Sequence, residues 1–214
     1  GISSANIVNT SLTKLSDTNP LNNNISIAKL TENKVVIFYG TSSSNFIMYG
    51  IVVNIEKGII TYGAETLIDS NTNSGYGIAC ESIDDSHVFI AHSLGDTYTL
   101  QGTICTINGL GITVSSTNAL STSSTYNQWN ICIEKLGYSS TGATFLVSHP
   151  YSSSKYMYCM IVNTTLTAIA TIGTDTQIKD SAGVVFYAKY RMGKYITLVK
   201  NTPKIFITGQ ISNG

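Results

Sequence analysis

The chain has 214 residues, balances 12 Lys and Arg against 12 Asp and Glu, and is 43% hydrophobic with only 11% charged residues. A neutral chain without a Lys/Arg cluster offers a phosphate backbone little attraction, so nucleic acid is not an expected partner, and the apolar content is too high for a disordered segment. No apolar run approaches the roughly eighteen residues of a membrane-spanning helix, so no membrane insertion is expected.

The chain opens on NIVNTSLTKLS, Asn6 to Ser16, with the same alternation as GIITYGAETLIDS, Gly58 to Ser70. Gly1 is not preceded by Met and no charged segment leads into an apolar one, so the start reads as an engineered or processing boundary. Next comes ISIAKLTENKVVIFYG, Ile25 to Gly40, which lies over IACESIDDSHVFIAHS, Ile78 to Ser93. Ile131, Ile133 and Leu136 begin a third copy, and VVFYAKYRMGKYITLVK from Val184 a more diverged fourth, for a period of about 53 residues.

Each copy divides into short β-type segments rich in Val, Ile, Thr, Tyr and Phe, separated by turn residues. In the first copy these are ISIAKL, KVVIFYG, FIMYGIVVNI and IITYGAETLI. The third segment recurs as YTLQGTICTI, KYMYCMIVNT and PKIFITGQIS, with Gly50, Gly102, Cys159 and Gly209 in register. Small residues there point to close packing or a strand irregularity. No segment carries a sustained 3.6-residue apolar stripe, so almost no helix is expected.

The fourth copy stops at GQISNG, one segment short, and the N-terminal strand is the piece it lacks. Four repeats completed by the first strand of the chain are what a ring needs to close by hydrogen bonding between its ends. The expected fold is therefore all-β, a four-bladed β-propeller forming one domain over residues 1–214. Its blades would cover about 25–70, 76–122, 129–179, and 183–214 together with 5–17. A β-sandwich or partly open barrel is the alternative.

In such a ring the loops joining fourth to first and second to third strands share one face. Here they are the longer ones, among them DSNTNSGYG, STSSTYNQWN and HPYSSSK, whereas TENK, DDSH, EKG and NGLG on the other face are short. Binding residues gather on long loops held by a rigid scaffold. Tyr76, Tyr98, Tyr126, Trp129 and Tyr151 lie on the long-loop face among Ser and Asn, which with Thr make up about a third of the chain. Aromatic faces beside hydroxyls and amides suit a neutral carbohydrate, although the same residues also serve simply to solubilise a low-charge surface.

His92 and His149 end equivalent second strands and join the candidate ligand-binding set. Glu81 and Glu134 share one repeat position on neighbouring channel-lining strands, where Ala28 stands in the first copy. Paired carboxylates can hydrolyse glycosides when about 5–10 Å apart, and they can equally bind water inside a channel. The reading taken is non-enzymatic, with Glu81 and Glu134 as the catalytic alternative.

No metal site and no cofactor are expected. Asp84–Asp85 lacks the oxygen spacing of a calcium loop, and GYG and GLG lack the Lys and helix of a phosphate loop. Cys80, Cys105, Cys132 and Cys159 show no C-x-x-C spacing and read as buried free thiols. Asn9, Asn24 and Asn163 match the glycosylation pattern, which chance supplies often in a chain so rich in Asn and Thr.

The unit ITYGAETLIDSNTNSGYGIACESIDDSHVFIAHS, with its I-T-x-G-x-E-x-x-I element leading into a strand pair, resembles repeats of tail-fibre and tail-tip proteins of bacteriophages and related tail-like particles. The resemblance spans essentially the whole chain. It implies a receptor-binding or structural module of a virion tail or extracellular tail-like particle, in a homotrimer, with bacterial cell-surface glycan as partner. The alternatives are a polysaccharide depolymerase or glycosidase and a structural spacer domain of the tail.

Overall fold

The computed structural model describes residues 20–41, 47–71, 77–94, 99–121, 131–151, 156–178, 196–198 and 205–207. Three antiparallel sheets follow one another along the chain, each a meander of neighbouring strands. The first holds β1 (Pro20–Lys29), β2 (Lys34–Thr41), β3 (Met48–Glu56), β4 (Ile59–Tyr62) and β5 (Thr66–Asp69), with both β4 and β5 paired to β3. The second holds β6 (Ile78–Ser82), β7 (His87–Leu94), β8 (Thr99–Asn108) and β9 (Gly111–Ala119). The third holds β10 (Cys132–Ser139), β11 (Gly142–Tyr151), β12 (Tyr156–Thr165), and β13 (Ile169–Ile172) with β14 (Thr176–Gln177), both on β12. A two-stranded pair, β15 (Ile196–Leu198) and β16 (Ile205–Ile207), comes last.

No helix occurs among the described residues, as the missing 3.6-residue stripe predicts. One strand of the middle sheet shows why the sheets stack. Along β7, Val88, Phe89, Ile90 and Ala91 are all fully buried. A strand with one wet face would alternate, so an unbroken apolar run means cover on both sides. Val88 and Ile90 pack with Val36, Phe38, Met48 and Val52 of the first sheet, while Phe89 and Ala91 pack with Phe145, Val147 and Val162 of the third. The middle sheet is thus the filling of two cores. By contrast β9 reads GITVSSTNA and exposes most of its length.

Close stacking constrains the third strands. A Cβ on Gly50 would stand 2.8 Å from the Phe38 ring and 2.9 Å from Ile112 Cδ1; one on Gly102 would stand 2.6 Å from Ile169 Cδ1. Both glycines, picked out by their shared repeat position, sit where a neighbouring sheet presses against the strand. Between β3 and β4, Lys57 and Gly58 both take positive φ, the backbone of a two-residue turn that follows the twist of its strands.

The fourth segment is where copies differ. In the first and third sheets it is split, into β4 and β5 and into β13 and β14, and the break falls at Gly63 and Gly173. The two amides donate to Val52 and Ile161 carbonyls at 2.9 and 2.7 Å, holding the break in place. A Cβ on Gly63 would lie 2.0 Å from the Leu110 carbonyl oxygen, in the β8–β9 turn of the next sheet. The second copy lacks this glycine, and its β9 runs unbroken with a register shift opposite Ile104 and Cys105.

The first strands of successive sheets lie beside each other: β1 packs on β6, β6 on β10, and β15 on β10. Ser26 Oγ accepts the Cys80 amide at 3.0 Å, and Lys135 Nζ donates to the Ser82 carbonyl at 2.9 Å, so neighbouring inner strands are also pinned by polar contacts. The expected closing strand over 5–17 and the first segment of the fourth copy lie outside the described residues.

The Phe89 and Phe145 rings, 4.9 Å apart and tilted by 32°, join the second and third sheets. Phe89→Ala should lower unfolding free energy by about 3–5 kcal/mol, measured by urea denaturation. Thr113→Ala on exposed β9 should change it by less than about 0.5 kcal/mol.

Candidate functional site

A cavity of about 560 Å³ opens where the inner strands end. Lys29 closes β1, Glu81 and Ser82 close β6, Asp84 and Asp85 form the turn after it, and Lys135 and Tyr138 come from β10. Leu30 and Ile83, both buried, line its inner part. The opening lies at the short-turn end of the molecule, opposite the long loops favoured by the sequence. Short turns leave the strand ends uncovered.

The turn residue Asp84 is committed locally. Its Oδ1 accepts the amides of Ser86 and His87 at 2.8 and 2.7 Å, and the His87 ring lies 2.9 Å away. Partial burial works to raise its pKa, but the Ser86 amide and the His87 contacts outweigh it and hold the carboxyl below its usual value. Asp85 is left exposed at the rim. Lys135 Nζ stands 5.8 Å from the centre of the Tyr138 ring, within cation–π range, and that ring is 60% exposed.

Lys29, Ser82 and Lys135 were not singled out by sequence, yet they occupy one repeat position; Ser82 and Lys135 are 53 apart and bonded. That equivalence was the signal available. Glu81 lines the cavity, whereas Glu134, its repeat equivalent, is not among the lining residues.

His92 and His149 are each fully buried and occupy the position of Tyr39 in the first sheet. All three reach across the sheet toward its outer strand. The Tyr39 hydroxyl donates to the Glu65 carboxylate. His149 Nε2 meets the Asp175 carboxylate at 3.0 Å. The second copy has neither acid, and His92 Nε2 instead meets the Thr103 hydroxyl at 2.9 Å, which meets Thr117 at 3.1 Å. His92 Nδ1 lies 3.0 Å from the Ser93 carbonyl, which can only accept, so the proton sits on Nδ1.

The glutamate of I-T-x-G-x-E and its counterpart Asp175 are thus acceptors for buried straps. Ser121 also reaches Asp175, at 3.4 Å, but the carboxylate lies between serine and histidine, the wrong order for activating a nucleophile. Tyr76, Tyr98, Tyr126 and Trp129 lie outside the described residues. Tyr151 ends β11, and its side chain also lies outside them.

The Cys80 and Cys105 thiols are pushed up to about 12, chiefly by burial, which removes them as nucleophiles near neutral pH. No group of three or more His, Cys, Asp and Glu among the described residues could hold a metal ion, and no helix among them is long and apolar enough to cross a membrane.

No family model matches the chain, and no curated protein matches it. Among solved structures it is similar to a mutant Aleuria aurantia lectin in complex with Fucα1-6GlcNAc. The TM-score is 0.48 at 14% identity, over 81% of this chain and 50% of that chain. The chain thus spans half the length of the lectin it matches.

Burial lowers the His92 pKa, with Asp69 at 3.9 Å opposing only in part. The folded protein keeps His92 neutral below the pH at which the unfolded chain protonates it. Its contribution to stability is complete above about pH 6.5 and is lost as pH falls from there through the depressed folded value. Thermal melting between pH 8 and 5 should show this loss, and His92→Gln should flatten it. An unchanged slope in the variant would place the pH dependence elsewhere.

Proposed function

We propose that the chain is a non-enzymatic carbohydrate-binding module. The cavity at the inner strand ends carries this reading: a hollow of about 560 Å³, within the roughly 300–1,000 Å³ of ligand sites. Hydrogen-bonding groups from three sheets surround an exposed tyrosine ring there. Stacked sheets hold these groups in place, so a sugar would meet a preformed set of donors and acceptors, with little ordering on binding. The long-loop face with Tyr76, Tyr98, Tyr126, Trp129 and Tyr151 would supply a second surface for the same polymer.

The finer placement is a receptor-binding module of a phage tail fibre or tail-like particle, engaging bacterial cell-surface glycan. It is supported by the resemblance of the repeat unit. A homotrimeric fibre would multiply weak single sites, since linked sites raise effective concentration without new contacts. The fold in this reading closes as a four-bladed ring, with residues 5–17 completing the last blade. The outer face of the first sheet favours closure: Ile25 and Ile27 are 51% and 58% exposed beside Val35, Ile37 and Tyr49, a surface suited to cover by a neighbouring blade.

Wall fractions from candidate host bacteria should retain the chain in a sedimentation assay. Tyr138→Ala should weaken retention about tenfold if the cavity is the site, and Trp129→Ala should do so if the long-loop face is. Absence of retention by every fraction that holds the intact particle would favour a spacer domain. Release of reducing ends that disappears in a Glu81→Gln, Glu134→Gln double variant would establish the glycosidase reading instead.

Deleting residues 1–17 tests ring closure. The truncated chain should aggregate or melt at lower temperature in light scattering and calorimetry, because it exposes a sheet edge. An equally soluble and stable truncation would overturn closure.

A further inference from the structure

We propose that Asn108 is a site of spontaneous backbone modification, where deamidation through a cyclic imide converts the residue to isoaspartate and loosens the contact between the first two sheets. This chemistry is independent of what the chain binds. It starts with attack by the nitrogen of the following residue on the asparagine side chain, and glycine has no Cβ to crowd that nitrogen. Among the described residues Asn108 alone is an asparagine followed by glycine.

The local geometry leaves both reacting groups open. Asn108 ends β8 and pairs with Gly111 at the start of β9, so Gly109 and Leu110 form a two-residue turn. Gly109 takes a φ of 61° as the first central residue, the type II′ position that glycine fills. Asn108 and Gly109 are exposed, and nothing lies within 4 Å of where a Cβ on Gly109 would stand, so water reaches the turn. Neither the Asn108 side chain nor the Gly109 N–H makes a hydrogen bond among the described residues. Other asparagines are held. Asn163 accepts from Thr144 Oγ1 and donates to Thr171 Oγ1, both at 2.7 Å, and Asn71 Nδ2 donates to Asp69 at 2.7 Å. The corresponding turns of the first and third sheets, Lys57–Gly58 and Leu166–Thr167, carry no asparagine.

Water is the one co-reactant. The Gly109 nitrogen gives up its proton and bonds to Asn108 Cγ; the Cγ–Nδ2 bond breaks, and ammonia leaves with that proton. Water then opens the imide, its hydroxyl going to a carbonyl carbon and its proton to the Gly109 nitrogen. Opening at the side-chain carbonyl gives aspartate. Opening at the main-chain carbonyl gives isoaspartate, whose backbone runs through Cβ and Cγ and is longer by one carbon.

An added backbone atom matters at this turn because the turn is seated on the neighbouring sheet. Leu110 packs against the core shared by the first two sheets, and its carbonyl oxygen would lie 2.0 Å from a Cβ on Gly63. The Gly63 amide, donating to the Val52 carbonyl at 2.9 Å, holds the break in the outer strand at that contact. Lengthening the chain two residues before Leu110 shifts its carbonyl off this seat, since close packing leaves no slack for an extra methylene.

The full-length chain would be incubated at neutral and at mildly alkaline pH and mapped by peptide mass spectrometry, with enzymatic methylation to report isoaspartate. Asn108 should be the first of the described asparagines to convert, faster at the higher pH because the attacking nitrogen must lose its proton, and Asn108→Ser should remove the product. The isoaspartyl form should lose at least about tenfold of the hydrogen-exchange protection at the Gly63 amide and melt at lower temperature. Asn108→Asp, which adds the charge without lengthening the backbone, should keep both. Earlier conversion of another described asparagine would overturn the proposal, as would an isoaspartyl form whose Gly63 protection and melting are unchanged or are matched by Asn108→Asp.

Discussion

A four-stranded sheet with apolar side chains on both faces must find cover on both faces, and this constraint organises the molecule. In the middle sheet it is met from two sides at once, with Val88 and Ile90 entering one core and Phe89 and Ala91 the other. Each sheet therefore has to stand against its neighbours rather than alone. Stacking then brings the first strands β1, β6 and β10 together, and the need for close approach places glycine at Gly50, Gly63 and Gly102. The cavity is a by-product of the same arrangement, formed where the inner strands end in short turns.

Polar groups caught inside this packing are handled sheet by sheet. Tyr39, His92 and His149 occupy one repeat position but find different partners, a glutamate, a pair of threonines and an aspartate. What persists is the need to satisfy a buried polar side chain across the sheet. The I-T-x-G-x-E element now has a physical meaning. Its glycine breaks the outer strand at a tight contact, and its acid receives the strap. Both roles concern the scaffold, which is consistent with a binding site located elsewhere.

The charged residues follow a different logic. In a chain this poor in charge, the solubility of most of its surface rests on Ser, Thr and Asn, as along β9. Lys29, Glu81, Asp84, Asp85 and Lys135 nonetheless come together at one cavity, where the inner strands end. Asp84 is used up in shaping its own turn, while Lys29 and Asp85 are exposed at the rim.

The all-β character, the repeat of about 53 residues and the tight approach at Gly50 and Gly102 were legible in the amino-acid sequence, because strand alternation and small residues in register are local signals. The sequence alone likewise marked Glu81. It did not reveal that His92 and His149 are sealed inside, since their burial depends on strands that pair with theirs from elsewhere in the copy. Nor did it reveal that Lys29, Ser82, Asp85, Lys135 and Tyr138 meet, since each is ordinary in its own segment. Local pattern determined which segments become strands and in what order. Tertiary packing decided which faces are covered and which charges converge, because both depend on contacts between residues some fifty positions apart.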